Sequence, residues 1–544
     1  MGTTVAHCQA TSMNSTKLFR ALALLLATSA ATGAVGCASD SGEGDDEDLT
    51  SQSALSRSLK FQGKVYVRKD ATDSEIQSAV LTQTQSAFGP LRTSDIAVNN
   101  RELKPLGAAL ESFKATFQKR VVKVIDTALP ADPGTEMTEV IYTYTDNAVV
   151  AKSYARKSKV ALAVLNPSYR SQLQRILKEC TTNDEEAREF LSSAWYIFQP
   201  NLSTCKTAMA TETKAIAADR LKLTDTQTQV TKSDVNRLYV PITAALGPDK
   251  TNKGNSYPDY HRLYAGGVEP GKLVISLVYG MIDHSHTGGP EDDYAYSQYM
   301  QNLSEILKEN PNFKLTGASP ATDVTKITLA SGRSIPITMK DLVASGNGIM
   351  PGGVSGADAA EAKKLLGQLV YKRFLTYEMP VKVRIGNDSE KAVTIKILGY
   401  YGAESDSAPH KTAIKNSDVF VYNGHSSIGY GPLDPSRFSA SDFPKTYQIM
   451  FVDSCVSYNY YEKDYVPLKE GGTLNLDLIT NGIEAPAYRS GEALGKFVAK
   501  LINGKQASYL ELLGAASATD SLRVVDGELD NKYTPTAYPI TVRK

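Results

Sequence analysis

The sequence predicts an α/β protein with a mostly parallel β-sheet flanked by helices in its second half, preceded by an α+β unit. Near-continuous apolar runs such as KLVISLVYG (272–280) are typical of strands that are covered on both faces. Helical patterns follow these runs, and this alternation favours a parallel sheet. In the first half, apolar and polar residues alternate with period two, which is typical of half-buried strands.

Length and charge set the first limits on function. A chain of 544 residues is too long for one compact core and predicts two or three domains. Lysine plus arginine equals aspartate plus glutamate at 59 each, so the net charge gives no argument for a nucleic-acid partner. We therefore expect no nucleic acid among the partners.

Residues 1–36 are predicted to be a signal peptide, with Met13 as an alternative start. MNSTKLFR supplies its basic region and ALALLLATSAATGAV its apolar region. The segment ends in Ala34-Val35-Gly36-Cys37, which resembles a bacterial lipobox with Cys37 as the lipid anchor. The segment 37–60 begins with small, polar and acidic residues. This composition predicts a flexible tether to the membrane.

The expected location is therefore the bacterial cell envelope, as a lipoprotein. Ala38 follows the lipidated cysteine where aspartate is associated with inner-membrane retention, so the outer membrane is preferred. The alternative is an ordinary cleaved signal peptide and a secreted protein.

The five cysteines divide into three groups. Cys8 and Cys37 belong to the leader and the anchor. In an exported protein, Cys180 and Cys205 are close enough in sequence to predict a disulfide. Cys455 is then the odd cysteine, which is either buried and inert or kept for its reactivity.

Residues 61–265 are predicted to form the α+β accessory domain. Asp146-Asn147 is expected to be a hairpin-like turn, and residues 246–262 an exposed linker. No catalytic pattern is visible, and a partner-binding or inhibitory role is the hypothesis. Helical patterns occur around 168–180, 184–196 and 204–222.

Residues 266–544 carry the predicted α/β domain, with an insertion at about 310–391. The insertion holds a predicted hairpin, KITLASGRSIPIT, and a glycine-rich loop (346–356) that we interpret as flexible. Five apolar runs predict strands at 272–280, 392–400, 418–424, 447–455 and 474–482, and helical spacing predicts helices at 296–309 and 490–504.

His425 and Cys455 each follow one of these runs. If the two strands are parallel neighbours, both side chains project from the carboxyl edge of the sheet, where open α/β sheets place their chemistry. A thiol serves as a nucleophile and an imidazole moves protons near neutral pH. The pair predicts nucleophilic catalysis.

The motifs YNGHSSIG and FVDSCVS resemble the caspase–hemoglobinase clan of cysteine peptidases, which includes metacaspases, clostripain-like enzymes and gingipains. The resemblance covers roughly residues 392–505 and implies a caspase-like fold. It implies a cysteine endopeptidase that cleaves proteins or peptides after Arg or Lys.

The resemblance also implies a role for each site residue. His425 would be the general acid/base and Cys455 the nucleophile. The backbone N–H groups of Ser426 and Cys455 would line the oxyanion hole. Asp453 would help bind a basic P1 side chain, and Asp283 would add a second carboxylate by position alone.

Two departures from the family pattern keep an alternative open. Ser426 stands where the family has glycine, and Val456-Ser457-Tyr458 follow the cysteine where metacaspases have His-Ser-Gly. The alternative is an inactive caspase-fold surface lipoprotein that acts as a binding or adhesion module.

Other kinds of site are less well supported. GHSSI (424–428) lacks the final glycine of a serine-hydrolase elbow. A metal site could draw on Asp283, His284 and His286, but no further cluster of metal ligands is visible in the sequence. No metal site is therefore predicted. The acidic loop PEDDYAYS (290–297) leaves Ca²⁺ open as a cofactor, although a solvated surface is the favoured explanation.

Overall fold

The structure is a computed structural model that describes residues 55–182, 191–248, 256–282, 288–485, 487–516 and 522–544. Several sequence-based predictions lie outside these residues: the signal peptide, Cys37 with nearly all of the tether, Asp283, and the start of the helix predicted at 184–196. The described part forms two large mixed sheets flanked by helices.

The first sheet belongs to the N-terminal unit, and its strand order is β5-β7-β1-β4-β3-β6 with β2 beside β4. The strands are β1 (Leu55–Arg68), β2 (Ile96–Val98), β3 (Gln118–Ile125), β4 (Thr135–Val150), β5 (Lys159–Leu165), β6 (Gln229–Thr231) and β7 (Tyr239–Leu246). The helices are α1 (Asp73–Gln85), α2 (Phe88–Arg92), α3 (Gly107–Lys114), α4 (Leu173–Cys180), α5 (Ala194–Ile197), α6 (Ser203–Arg220) and α7 (Lys232–Asn236).

The turn predicted at Asp146-Asn147 is wrong, because β4 runs through both residues. Strand β1 pairs with β4 along its whole length, and Asp146 lies opposite Leu59. The Asp146 carboxylate accepts hydrogen bonds from the backbone N–H of Asn100 and the hydroxyl of Tyr144, both at 2.8 Å. A side chain that favours turns is used here to anchor a neighbouring segment.

The predicted disulfide between Cys180 and Cys205 is present, and it joins the end of α4 to the first turn of α6. Both cysteines are fully buried in the core of the N-terminal unit.

We expect the double variant Cys180→Ala/Cys205→Ala to unfold with a free energy lower by about 3 kcal/mol, because the bridge closes a loop with a sequence separation of 25 residues and restricts the unfolded chain. Urea unfolding without reductant measures the difference. Adding reductant to the wild type should reproduce it, and equal midpoints for the two proteins would contradict the expectation.

The second sheet has a parallel centre, β13-β8-β14-β15-β16, and antiparallel edges. Strand β17 lies beside β16 at one edge, while β12 lies beside β13 and itself pairs with β18 and β9. The strands are β8 (Lys272–Gly280), β9 (Lys314–Ser319), β10 (Lys326–Thr328), β11 (Ser334–Pro336), β12 (Phe374–Ile385), β13 (Lys391–Gly402), β14 (Val419–Asn423), β15 (Gln448–Asp453), β16 (Leu476–Asn481), β17 (Arg523–Asp526) and β18 (Ile540–Arg543).

Helices cover both faces of this sheet. Leu303 and Phe497 of α9 and α14 lie in the core on one face, and Ile414 and Tyr461 of α12 and α13 lie in the core on the other. The helices are α8 (Tyr260–Leu263), α9 (Tyr294–Glu309), α10 (Met339–Ser345), α11 (Gly356–Val370), α12 (Ala408–Lys415), α13 (Ser457–Tyr465), α14 (Ala487–Leu501) and α15 (Tyr509–Ala515).

The segment 310–391 is more than an insertion, because β9 and β12 extend the sheet with antiparallel pairing. The predicted hairpin is present as β10 and β11, which form a separate small sheet. The second unit also starts earlier than residue 266, since Tyr260 and Leu263 are buried in its core.

The N-terminal unit covers one face of the second sheet. Along β14, Val419 and Val421 lie in a core with α9 and α14, while Phe420 and Tyr422 lie in the core that also contains Leu59 of β1. A parallel sheet needs both faces covered, and here part of the cover comes from the first 250 residues.

Candidate functional site

His425 and Cys455 lie at matching positions beyond two adjacent strands. Strands β14 and β15 are parallel, and Asn423 is in register with Asp453. Each of the two candidate residues follows two positions later, so both leave the carboxyl edge at the same level, on strands about 5 Å apart. The first parallel strand, β8, lies between β13 and β14, and ligands of open α/β sheets bind where the strand order reverses in this way.

The His425 ring is buried and oriented by a backbone carbonyl. Its Nε2 atom lies 3.1 Å from the carbonyl oxygen of Ile282, which follows β8. Because a carbonyl only accepts, Nε2 carries a proton, and in the tautomer with one ring proton Nδ1 is the accepting nitrogen. A base that is itself oriented by a third group is the arrangement that nucleophilic catalysis requires.

A residue that the sequence analysis missed, Glu404, holds the backbone at the histidine. Its Oε1 accepts the N–H of His425 at 2.6 Å and the hydroxyl of Tyr422 at 2.7 Å. A Cβ on Gly424 would lie 2.0 Å from this oxygen and one on Gly280 would lie 2.2 Å from it, so the carboxyl group fits only between two glycines. Those strand-end glycines were the only signal in the sequence.

Burial raises the pKa of Glu404 to about 8 from its ordinary value of 4.5. Between these values the native state binds more protons than the unfolded state, so Glu404 lowers stability progressively as the pH rises through this window. We expect Glu404→Gln to gain stability relative to wild type between about pH 5 and about pH 9, because the amide keeps the acceptor for His425 without the charge.

Thermal unfolding of the two proteins at both pH values measures this change. Glu404→Ala serves as the control. It loses the hydrogen-bond acceptor as well as the charge, so it should be less stable than wild type at both pH values. A constant difference between wild type and Glu404→Gln would contradict the assignment.

Cys455 is half-buried and lies between β15 and α13. Val456 has a left-handed backbone with φ 52°, and α13 begins at the next residue. Cys455 therefore lies two residues before the first residue of a nine-residue helix.

Helix α13 also ties the two candidate loops together. The hydroxyl of Tyr461 donates to the carbonyl oxygen of Ser426 at 3.3 Å. The same carbonyl accepts the N–H groups of Gly429 at 2.8 Å and Gly431 at 3.3 Å. Ser426, the predicted oxyanion residue, is thus buried next to the histidine in a turn fixed by the helix that follows the cysteine.

Backbone strain is concentrated around these residues. Ile428 and Val456 both have φ 52°, in a region that β-branched residues rarely adopt. One follows His425 by three residues and the other directly follows Cys455. Strained residues cluster at functional sites, where the surrounding structure holds them in place.

The prediction that Asp453 opens onto the site with Cys455 is not supported by the geometry. Its side chain is 0% exposed and is paired with Arg523 of β17, which is 1% exposed. Nη2 of Arg523 lies 3.1 Å from each carboxylate oxygen, and Nε lies 3.3 Å from Oδ1. A buried carboxylate needs a cation, and the chain itself supplies one.

The acidic loop 290–297 is occupied with local contacts. Asp293 Oδ1 accepts the N–H of Ala295 at the start of α9, and Asp292 pairs with Lys363 at 2.6 Å. Within the described residues, no group of three or more His, Cys, Asp and Glu side chains is arranged to hold a metal ion.

Comparisons with protein-family models, with curated proteins and with solved structures found no match for this chain.

Proposed function

We propose that this protein is a cysteine endopeptidase in which Cys455 is the nucleophile and His425 the general base. The observation that carries the proposal is the placement of both residues at one level beyond adjacent parallel strands, with the histidine ring oriented by the carbonyl of Ile282. The parallel centre of the sheet and its flanking helices are the arrangement that the resemblance to the caspase–hemoglobinase clan implies, and they support the proposal.

The proposed reaction has two steps. The Cys455 sulfur bonds to the peptide carbonyl carbon while its proton passes to Nδ1 of His425, and that proton then goes to the leaving amine as the C–N bond breaks. Water attacks the resulting thioester, gives a proton to His425, and the sulfur leaves and regains it. Backbone N–H groups at Ser426 and Cys455 would stabilise the charged oxygen.

Cleavage after Arg or Lys now depends on the family resemblance alone. A substrate cation was expected to neutralise Asp453, but the guanidinium of Arg523 already does so. The proposal for the peptidase therefore leaves the P1 side chain open.

The reactivity of the thiol tests the proposal. We would measure the rate at which iodoacetamide alkylates Cys455 as a function of pH in wild type, in His425→Asn and in the control His261→Asn. His261 stacks on Tyr538 and lies in another part of the unit. Only His425→Asn should change the pH profile, and an unchanged profile would remove the base from the mechanism.

One observation favours the inactive alternative. Because Arg523 fills the place beside Asp453, the pocket that the resemblance implies for a basic side chain is closed. A protein whose Cys455 is alkylated at the same rate with and without His425, and which cleaves no peptide, would be the binding or adhesion lipoprotein.

We further propose that a lipid on Cys37 anchors the protein in the envelope. The described residues contain no helix that is long and apolar enough to cross a membrane. We expect Cys37→Ser to move the protein from the membrane fraction to the soluble fraction, because the variant lacks the thiol that would carry the lipid. Fractionation with immunodetection measures this, and Cys455→Ser is the matched control that should stay in the membrane fraction.

A further inference from the structure

A short segment of the N-terminal unit reaches the loop that follows His425. Nη2 of Arg101 lies 3.4 Å from the carbonyl oxygen of Ile428, and its guanidinium lies 4.2 Å from the ring centroid of Tyr430. Nη1 lies 3.9 Å from Oδ1 of Asp434. The side chain is 21% exposed, and these three partners lie on one segment that begins three residues after the histidine.

Both sides of this contact are strained. Glu102 and Leu103 have φ values of 50° and 53°, and Ser427 and Ile428 have values of 48° and 52°. Together with Val456 these are five of the nine non-glycine residues with positive φ among those that the structure describes. Such conformations persist only where neighbouring groups fix them.

A left-handed backbone explains why glycine stands at position 429. Gly429 has φ 74°, and a Cβ there would lie 2.7 Å from Nη2 of Arg101. The guanidinium of Arg101 therefore lies directly against the turn at 427–429.

Helix α13 connects the same parts from the cysteine side. Nζ of Lys463 donates to Oδ1 of Asn100 at 2.7 Å, while Tyr461 holds the carbonyl of Ser426. The helix also contacts the turns at 101–103 and 427–429. The segment after His425, the helix after Cys455 and the Arg101 segment thus form one contact region.

We propose that Arg101 is a positioning residue for His425, so that the N-terminal unit completes the catalytic site rather than serving as a removable cover. This inference rests on the proposed peptidase function. The arginine binds the backbone carbonyl and the aromatic ring of the strained turn, and thereby holds the peptide that carries the histidine and the Ser426 N–H. The shared core between the two units keeps Arg101 in place.

An inhibitory role for the N-terminal unit predicts the opposite sign. If Arg101 covered the site, removing its side chain would expose the thiol and raise activity. If it positions the turn, removing the side chain lets the turn relax and lowers activity. The sign of the effect separates the two roles.

The experiment compares Arg101→Ala and Arg101→Lys with the control Arg92→Ala in the full chain. Arg92 also belongs to the N-terminal unit, also lies over an aromatic ring, that of Tyr196, and also crosses to the second unit, where it pairs with Glu484. Peptide hydrolysis, alkylation of Cys455 against pH, and amide hydrogen exchange at Gly429 and Gly431 are measured for each.

We expect Arg101→Ala to lower kcat by about 10- to 100-fold with little change in KM, because a small displacement of a catalytic group has effects of this size. Exchange at Gly429 and Gly431 should accelerate. The kcat and the exchange rates of Arg101→Lys should lie between those of wild type and of Arg101→Ala, since lysine keeps the charge but loses the planar contact with Tyr430. Arg92→Ala should leave kcat and both amides unchanged.

Tyr430→Ala is a second variant for the case in which Arg101→Ala does not fold, because Tyr430 is 53% exposed. It should change kcat and exchange in the same direction. Higher activity, or unchanged activity with unchanged exchange, would overturn the positioning role. The proposed function would be overturned instead if the wild type hydrolysed no peptide and if alkylation of Cys455 did not depend on His425. Hydrogen exchange would still decide whether Arg101 holds the turn.

Discussion

Cys455→Ala is expected to abolish peptide hydrolysis, with kcat reduced by at least about 10³-fold, because removing the nucleophile removes the covalent step. The fold should survive the change. Cys455 is half-buried, and the side chain shrinks by a single sulfur atom, so we expect a loss of less than about 1.5 kcal/mol in the free energy of unfolding.

Matched cysteine variants separate chemistry from structure. Cys455→Ser keeps a hydrogen-bonding group of similar size and should be as inactive as the alanine variant, since a hydroxyl is a far weaker nucleophile than a thiolate. Cys180→Ala/Cys205→Ala removes two other cysteines and should retain activity at temperatures where it is folded. Hydrolysis by Cys455→Ala at the wild-type rate would exclude Cys455 as the nucleophile.

Arg523→Leu is expected to have the largest effect on stability, lowering the free energy of unfolding by about 3–5 kcal/mol. The change leaves the Asp453 carboxylate buried without its guanidinium. It also removes the hydrogen bond that Arg523 donates to the carbonyl of Ala516. Urea unfolding monitored by circular dichroism measures the loss.

The double variant Asp453→Leu/Arg523→Leu is the control, because it removes both charges and fills the space with apolar groups. Replacing a buried ion pair in this way is often neutral, so the double variant should recover much of the loss. If Arg523→Leu were as stable as wild type, the ion pair would contribute little to the fold.

The five parallel strands at the centre of the second sheet were predictable because each contains an apolar run bounded by turn residues. The runs at 418–424 and 447–455 correspond to β14 and β15 within two residues at each end. The neighbouring positions of His425 and Cys455 followed from placing both at the ends of adjacent parallel strands, and the register of Asn423 with Asp453 agrees with that expectation.

Polar contacts between residues far apart in the chain could not be predicted from the sequence. Arg523 meets Asp453 only because β17 folds back beside β16, and nothing local to either residue indicates it. Arg101 meets the loop after His425 across more than 300 positions. Asp146-Asn147 has the composition of a turn, but pairing with β1 overrode that local preference.

The position of β8 at the centre of the second sheet has a consequence for how the chain folds. Its neighbours are β13 and β14. Leu273 pairs with Ile395 and Ile275 pairs with Val419, so β8 cannot complete its hydrogen bonds until these later strands are present. Contacts this distant in sequence slow folding, and parallel pairing between them leaves apolar strands exposed during synthesis. We expect refolding from denaturant to be slow and prone to aggregation at high protein concentration, with β8 as the segment that most needs protection before residue 423 has emerged.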